Sequence, residues 1–342
     1  MTEQAEARRR PGPATWVRGR TAPVPSLAAR LFGRPSRARG RVVAGASVLT
    51  AGLLVFHGAV PDAAVGLGSL LETFLPWLGA VVPVLFVLAL VRRSPVALVA
   101  LLLPVAAWTY LFGGLLLPAP EPGPDDLVVV QHNVSDENDD PAGTARALAD
   151  AAPDLIALQE LVSPALDVYA RTLAADYPYR TVQGTVGLWS KHPLAEAGPL
   201  DIKPRGITEE WNRGLRTVAR TPHGEIAVYV AHLPSVRVGA GGLASARRDE
   251  SAGLLGDAVA AEELGRVVLL GDLNGTVDDR ALDPLTTRLN VAERGVALSF
   301  PAAFPVARID QVMARSATVG HIRTLPATGS DHLPVAARIT LD

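Results

Sequence analysis

Asp272 and Asn274 stand two residues apart, directly after the apolar run Val267–Leu270, in Gly271-Asp272-Leu273-Asn274-Gly275. If the extended backbone continues, both side chains point the same way. An acid and an amide so placed can position a water and hold an oxyanion, although the same five residues also suit a tight turn. Farther along, Gly329-Ser330-Asp331-His332-Leu333-Pro334 leads into another apolar run, with Arg308-Ile309-Asp310-Gln311-Val312 upstream. An Asp-His pair at a strand start can bind metal or phosphate and move protons. Gln131-His132-Asn133 and Gln159-Glu160 end two further runs, and His232 follows Val230-Ala231. Taken singly, each is as readily a turn former, a solvated charge or a satisfied strand histidine. His132, His192, His223 and His321 read as structural or solvated.

The elements that must carry these groups are legible as short β-branched or apolar runs bounded by turn residues. They are Leu127–Gln131, Leu155–Leu158, Gly187–Ser190, Ile226–Ala231, Val267–Leu270, Ile309–Met313 and Val335–Ile339, and they predict strands. Helix-like stretches lie between them at Pro141–Ala151, Pro164–Ala174 and Ala244–Leu264. Strands and helices interleave, so residues 125–342 form one α/β or α+β domain without an internal repeat.

The region ahead of this domain has a different composition. Residues 1–41 hold ten Arg and no Lys against Glu3 and Glu6, a basic segment that cannot bury a core and is expected to be disordered. Apolar runs follow at Val42–Val60, Phe74–Val91 and Pro95–Leu117, predicting three transmembrane helices over residues 42–117. The prolines within them are tolerated in membrane helices. The basic tail and Arg92-Arg93 are placed in the cytoplasm by the excess of positive charge, so three crossings leave everything after about Pro118 outside. A cleaved signal peptide is the rival reading of the first run, but the long basic leader and two further apolar runs oppose it. Residues 118–124, PAPEPGP, form a stiff linker. The absence of Cys does not decide the compartment.

Asn133, Glu160, His232, Asp272, Asn274, Asp310, Asp331 and His332 resemble, in type and order, the motif series of the endonuclease/exonuclease/phosphatase superfamily. The series reads QHN, LIALQEL, VGLWSKHPL, VAHLP, VVLLGDLNG, RIDQV and SDHLPV, and it spans nearly all of the domain. The resemblance implies an α+β fold, a four-layer α/β/β/α sandwich of the DNase I-like kind, here preceded by three transmembrane helices. It also implies metal-dependent hydrolysis of a phosphoric ester or pyrophosphate at one end of the sheets. By that resemblance Glu160, Asn133 and Asp331 hold the metal, Asp272 positions or deprotonates the attacking water, and Asn274 binds a phosphate oxygen. His332, oriented by Asp310, acts as general base or stabilises the transition state, and His232 donates to a phosphate oxygen or assists the leaving group. Hard oxygen ligands without Cys select Mg²⁺, or else Mn²⁺ or Ca²⁺, rather than Zn²⁺. An Arg from Arg213-Gly214-Leu215-Arg216 is either a phosphate contact or a surface ion pair.

Charge and location narrow the substrate. From Pro118 onward there are 20 Lys and Arg against 30 Asp and Glu, a formal charge of −10, and no basic run. Nucleic-acid binding draws its affinity from Lys and Arg meeting phosphates, so a polymer substrate is disfavoured and an exported nuclease is the alternative. A membrane tether raises the local concentration of embedded molecules, which favours a lipid-linked phosphate. Two loops, Lys203–Arg213 with Trp211 and Leu233–Arg248 with Arg237, can meet it. Three apolar runs ahead of such a domain resemble the VanJ-type membrane enzymes associated with glycopeptide (teicoplanin) resistance in actinomycetes. That resemblance implies action on undecaprenyl-linked pyrophosphate or a similar cell-wall lipid at a multi-pass cell-membrane location. A degenerate, non-catalytic binding module would need a site residue to be missing, and every expected position is filled.

Overall fold

The computed structural model describes residues 37–62, 66–121, 123, 126–239 and 242–341. Of the expected basic tail, residues 1–36 lie outside the described residues, and Arg37–Arg41 begin a helix. The helices ahead of the sheets are α1 (Arg37–Val55), α2 (Leu67–Thr73), α3 (Val81–Val91), α4 (Pro95–Ala100) and α5 (Leu102–Phe112). Helices α4 and α5 run on as one apolar rod, Pro95–Leu116, long enough to cross a bilayer and with 22 % of its apolar stretch buried. Its start is well capped: Ser94 Oγ accepts the Ala97 N–H at 3.2 Å, and Pro95 supplies a preset φ at the first position.

The other two apolar runs are less regular than their composition predicts. Residues 67–91 form a helix pair, Leu67–Thr73 and Leu75–Val91, bent by 68°. Pro76 lies just past the break, and its carbonyl accepts the Trp108 indole N–H at 2.8 Å. Helix α1 stops at Val55, so its apolar part, Gly40–Val55, falls short of a bilayer core. The carbonyls of His57 and Val60, just beyond, accept from Arg280 at 3.3 and 2.9 Å, a tertiary contact past the end of this helix. Small clusters hold the helices together, one around Leu85, Ala89 and Leu101 and one around Leu54, Leu75 and Phe112. Outward, Val48, Leu49, Val84, Phe86, Val99 and Leu102 are exposed, an apolar surface that water does not favour.

Two sheets form the domain. The six-stranded sheet runs β12-β13-β1-β2-β4-β3, with β1 (Asp126–Asn133), β2 (Leu155–Gln159), β3 (Tyr179–Gln183), β4 (Val186–Ser190), β12 (Ala317–Thr324) and β13 (Val335–Leu341). The five-stranded sheet runs β11-β10-β7-β6-β5, with β5 (Leu194–Pro199), β6 (Gly214–Thr221), β7 (Gly224–His232), β10 (Val267–Asp272) and β11 (Asp310–Arg315). A two-stranded ribbon, β8 (Arg237–Gly239) and β9 (Gly242–Ala244), stands apart.

Alternation along the strands builds the layers. Leu127, Val129, Leu155, Ala157, Val228, Val230, Val268, Leu270 and Val312 fill the space between the sheets. The opposite face of the first sheet, with Val130, Ile156 and Leu158, is covered by α6 (Pro141–Ala149) and α7 (Ala165–Leu173) through Leu148, Tyr169 and Leu173. The opposite face of the second, with Tyr229, Val267 and Leu269, is covered by α8 (Ala246–Ala260) and α9 (Asp283–Thr286) through Leu255, Val259 and Leu285. Helix, sheet, sheet, helix is the expected four-layer α+β sandwich. Strands β3, β5, β6 and β12 have no counterpart among the predicted strands. Three of them are sheet edges, where polar residues blunt an open row of hydrogen-bonding groups, and β6 carries Arg216 and Arg220.

Candidate active site

At one end of the sandwich the inner faces change from apolar to polar together. On β1 the parity of Leu127 and Val129 continues as Gln131 and Asn133. On β7, Val228 and Val230 continue as His232, and on β10, Val268 and Leu270 continue as Asp272. Strand β11 is antiparallel to β10, so its sequence reaches the same level at its start, with Asp310 opposite Asp272. In the parallel pair on the other side, Asp272 lies opposite His232. Asp310, Asp272 and His232 thus form a row across one sheet, facing Asn133 and Gln131 of the other. Gly271 keeps the row tight, because a Cβ there would run into the Ala231 carbonyl on β7.

The groups converge on Asp272. Asn133 Nδ2 donates to Glu160 Oε1 at 3.0 Å and to Asp272 Oδ2 at 3.1 Å. His232 Nε2 faces Asp272 Oδ2 at 3.6 Å and Glu160 Oε1 at 3.8 Å. His332 Nε2 faces Asp272 Oδ2 at 3.8 Å, while its Nδ1 is bound to Asp310 Oδ2 at 2.8 Å. Gln131 Nε2 donates to the other Asp310 oxygen. Phe300 packs on the His332 ring with centroids 4.8 Å apart. Ser330 Oγ donates to the Asn133 carbonyl at 2.7 Å and accepts the His332 N–H at 3.0 Å, which ties the His332 loop to the end of β1. Glu160 and Asn274 sit at φ of 60° and 48°, a strained backbone region for non-glycine residues that recurs at functional sites. Asn274 is held there by its N–H on Asp272 Oδ1 at 3.0 Å and by its Nδ2 on the Leu233 carbonyl at 3.0 Å.

Burial sets the electrostatics. It pushes Asp272 above the usual carboxylate range, and it pushes His232 down to about 4. Burial also works against a charged His332, but Asp310 and Asp272 outweigh it and carry the imidazole up to about 10. Both His232 nitrogens are buried without a hydrogen-bond partner, and the nearer charged groups are two carboxylates. Asp272, Asp310 and His332 offer ligand atoms all within 4.8 Å of one another. Carboxylate oxygens from Glu160 and Asp272 beside an orphaned imidazole, with Asp310 next to them in the row, fit a hard divalent cation.

Seven of the eight residues singled out from the motifs are joined by these contacts. Asp331 is exposed; its backbone carbonyl accepts Ala302 N–H at 2.7 Å, and its charge acts on His332 from outside the cluster. His132 points to the other face of β1, buried against Thr328 Oγ1 at 2.8 Å. Arg216 belongs to β6 and is paired with Glu262 and Glu196, whereas Arg213 stacks on Trp211 at 5.4 Å. Gln131, Ser330 and Arg248 were not singled out. Strand parity points to Gln131, but nothing in the sequence marks Arg248, whose Nη1 donates to the Asn274 carbonyl at 2.8 Å. A cleft of about 770 Å³ lies beside the site, lined by Trp211, Arg213, Arg237 and Arg247 from the two expected loops and by Asp62 and Gly66 just ahead of α2.

An acid–histidine cluster at one end of a two-sheet sandwich, sealed from bulk water on the sheet side, is the arrangement of a phosphoester hydrolase. The chain belongs to the Endonuclease/Exonuclease/phosphatase family, whose sequence profile matches residues 130–332. Among solved structures, it is similar to an endonuclease/exonuclease/phosphatase from Beutenbergia cavernae, with TM-score 0.51, 20 % identity, and coverage of 64 % of this chain and 72 % of that one. It is similar to a beta toxin variant from Staphylococcus aureus with bound magnesium ions, with TM-score 0.50, 14 % identity, and coverage of 64 % and 100 %. An endonuclease/exonuclease/phosphatase from Bacteroides vulgatus gives TM-score 0.50, 16 % identity, and coverage of 64 % and 99 %. At these identities the likeness is one of fold. No curated protein matches the sequence.

Proposed function

We propose that the protein is a membrane-anchored, divalent-metal-dependent phosphoester hydrolase that works outside the membrane on a lipid-linked phosphate or pyrophosphate of cell-wall synthesis, as in glycopeptide resistance. The observation that carries this reading is the cleft beside the cluster, lined by Trp211, Arg213, Arg237 and Arg247 of the two loops and by Asp62 and Gly66 just ahead of α2. A substrate seated there borders the segment ahead of α2 and Arg213, whose carbonyl accepts the His232 N–H at 2.8 Å. In this reading residues 42–117 cross the membrane three times, the second crossing being the run 74–91 beyond the bend, with the basic N-terminal side in the cytoplasm. The apolar surface of these helices supports it.

Mg²⁺, or Mn²⁺ or Ca²⁺, is the ion that Glu160 and Asn133 are proposed to hold, with Asp272 beside them; Asp331, the third ligand expected from the motifs, lies outside the cluster and acts on it through His332. Magnesium is bound in the staphylococcal toxin of similar fold. When bound, the ion supplies positive charge to the phosphoryl oxygens and lowers the pKa of a water. Asp272, buried between Asn133, His232 and His332, aligns the attacking water and takes its proton. Asp310 fixes the His332 tautomer through Nδ1, leaving Nε2 to donate to, or exchange a proton with, a phosphoryl oxygen. Asn274 offers its amide to a phosphate oxygen. His232, nearly neutral by burial, donates on the leaving-group side. Arg213 and Arg237 line the cleft where a second phosphate would lie.

The test is phosphate release by the full-length protein in detergent with Mg²⁺, comparing undecaprenyl pyrophosphate with duplex DNA, with and without a chelator, alongside His332→Ala. Release from the lipid, abolished by the chelator and cut by about 10²–10⁴-fold in the variant, is the expected result. Cleavage of DNA alone would make the protein a nuclease and overturn the lipid assignment.

A further inference from the structure

Arg248 and the Asp279–Arg280 turn, which brace the loop carrying Asp272 and Asn274, are themselves bound by side chains of α2 as well as by the catalytic domain, where Arg248 Nε donates to Asp249 at 2.7 Å. Arg248 is 2 % exposed and Asp279 1 % exposed. Arg248 Nη1 donates to the Asn274 carbonyl at 2.8 Å, and its Nη2 binds Asp279 Oδ2 at 2.7 Å. Ser69 Oγ of α2 completes the knot, donating to Asp279 Oδ2 at 2.5 Å and accepting from Arg248 Nη2 at 3.1 Å.

One turn along α2, the fully buried Glu72 binds Arg280. Its carboxylate accepts the Arg280 Nε at 2.9 and 3.1 Å and the Arg280 backbone N–H at 3.1 Å, and it lies 2.7 Å from Nη2. Thr276 Oγ1 donates to the Glu72 carbonyl at 3.4 Å. The fit is close at the backbone as well. A Cβ on Gly68 would meet Arg280 Nη2 and the Val60 carbonyl, and a Cβ on Gly275 would strike Arg248 Nη1. The last glycine of the GDLNG run is therefore bound up with the brace. Asp62, whose Oδ1 accepts the Ser69 N–H at 3.1 Å, lines the substrate cleft in the same stretch.

A membrane tether needs none of this. An anchor that only holds the domain at the surface works through its linker, without burying a carboxylate at zero exposure against the active-site loop. We infer that α2 is a working part of the active site: Ser69 and Glu72 are positioning residues that hold the Asp272–Arg280 segment in register through Arg248 and Arg280, so the catalytic domain is incomplete without the N-terminal helices. The inference rests on the hydrolase reading of the same site but not on the identity of its lipid. Burial of a charge costs less when every oxygen is satisfied, and both Glu72 oxygens accept hydrogen bonds from Arg280 of this loop, with His57 Nδ1 3.7 Å from one of them.

The experiment uses the full-length protein in detergent with Mg²⁺ and a soluble phosphodiester, bis(p-nitrophenyl) phosphate, as the probe, so that it does not depend on the lipid. Wild type is compared with Ser69→Ala, Glu72→Gln and Glu72→Asp. A displacement of the loop by a fraction of an ångström lowers kcat by about tenfold or more in Glu72→Gln, with KM changed far less, and Glu72→Asp recovers part of the loss. Hydrogen exchange of the amides of residues 273–282 accelerates in Glu72→Gln while those of β7 and β10 are unchanged. An unaltered kcat overturns the inference, as does exchange that accelerates everywhere or nowhere. If the wild type hydrolyses neither this diester nor the lipid, the hydrolase reading fails by itself, and the exchange pattern alone decides whether α2 holds the loop.

Discussion

Gln131 has no direct part in the proposed chemistry, yet it closes a chain of hydrogen bonds that ends on the reacting atoms. It donates to Asp310, Asp310 holds His332 Nδ1, and His332 Nε2 faces Asp272. Groups that orient a catalytic histidine commonly matter by one or two orders of magnitude. Gln131→Leu fills nearly the same volume and leaves one Asp310 oxygen without its donor. The expected outcome is a fall in kcat of about 10–100-fold with little change in KM, read from steady-state kinetics on a soluble diester. At this scale the sequence was informative for a definite reason: acids, amides and histidines appear just where an apolar alternation of period two runs out, so Asn133, His232 and Asp272 inherit the inward direction of their strands. Glu160 breaks that parity through its positive φ, and strand pattern alone does not give its direction. Arg248 was illegible because a buried arginine on a helix looks, in sequence, like any solvated one.

Elements depend on less conspicuous pairs. Glu262, just past α8, joins that helix to the second sheet by accepting from Arg216 Nε and Nη2 at 2.9 and 3.1 Å, from Tyr229 Oη at 2.8 Å and from the Leu264 N–H at 3.0 Å. Burial opposes its charge, but these donors outweigh burial and hold the carboxyl down at about 2. A carboxyl depressed on folding stabilises the fold above its unfolded pKa, and that contribution disappears as pH falls through the folded value. Glu262→Gln should therefore lower stability by roughly 2 kcal/mol at pH 7, and thermal unfolding of the two proteins should converge between pH 4.5 and pH 2. A difference that persisted unchanged at pH 2 would contradict the assignment. Central strands were recognisable because both of their faces are apolar. Edge strands and β6 were not, since Arg216 and its neighbours make them look like loops until their partners are known. The bend ahead of α3 was equally hidden, because composition reports how apolar a run is and not whether it is straight.

For the molecule as a whole, the proposed anchor and its cleft make encounter with substrate a two-dimensional event. Trp77 and Phe74 are exposed beside the helices, and the Trp77 indole N–H donates to the Val306 carbonyl at 2.8 Å, in the loop whose Phe300 touches His332. Aromatic side chains of this kind favour the interface between lipid and water. Reconstituted in vesicles at fixed total lipid substrate, the enzyme should slow in proportion as inert phospholipid is added, while its rate on a soluble diester stays constant. Equal rates at all dilutions would mean that substrate arrives from solution.

The strand order also governs how such a molecule is made. Strand β1 finds β2 soon after synthesis, but its other neighbour is β13, with Asp126 beside Thr340. Between them lie roughly two hundred residues, a separation that makes closure of the sheet slow and late. Asp310 and His332 likewise arrive long after Asn133. In the proposed topology a nascent polypeptide emerging on the far side of a membrane would thus carry its first half of the site as an inert fragment. Hydrolytic competence would switch on only once the closing strand slots in, after the whole domain has been made.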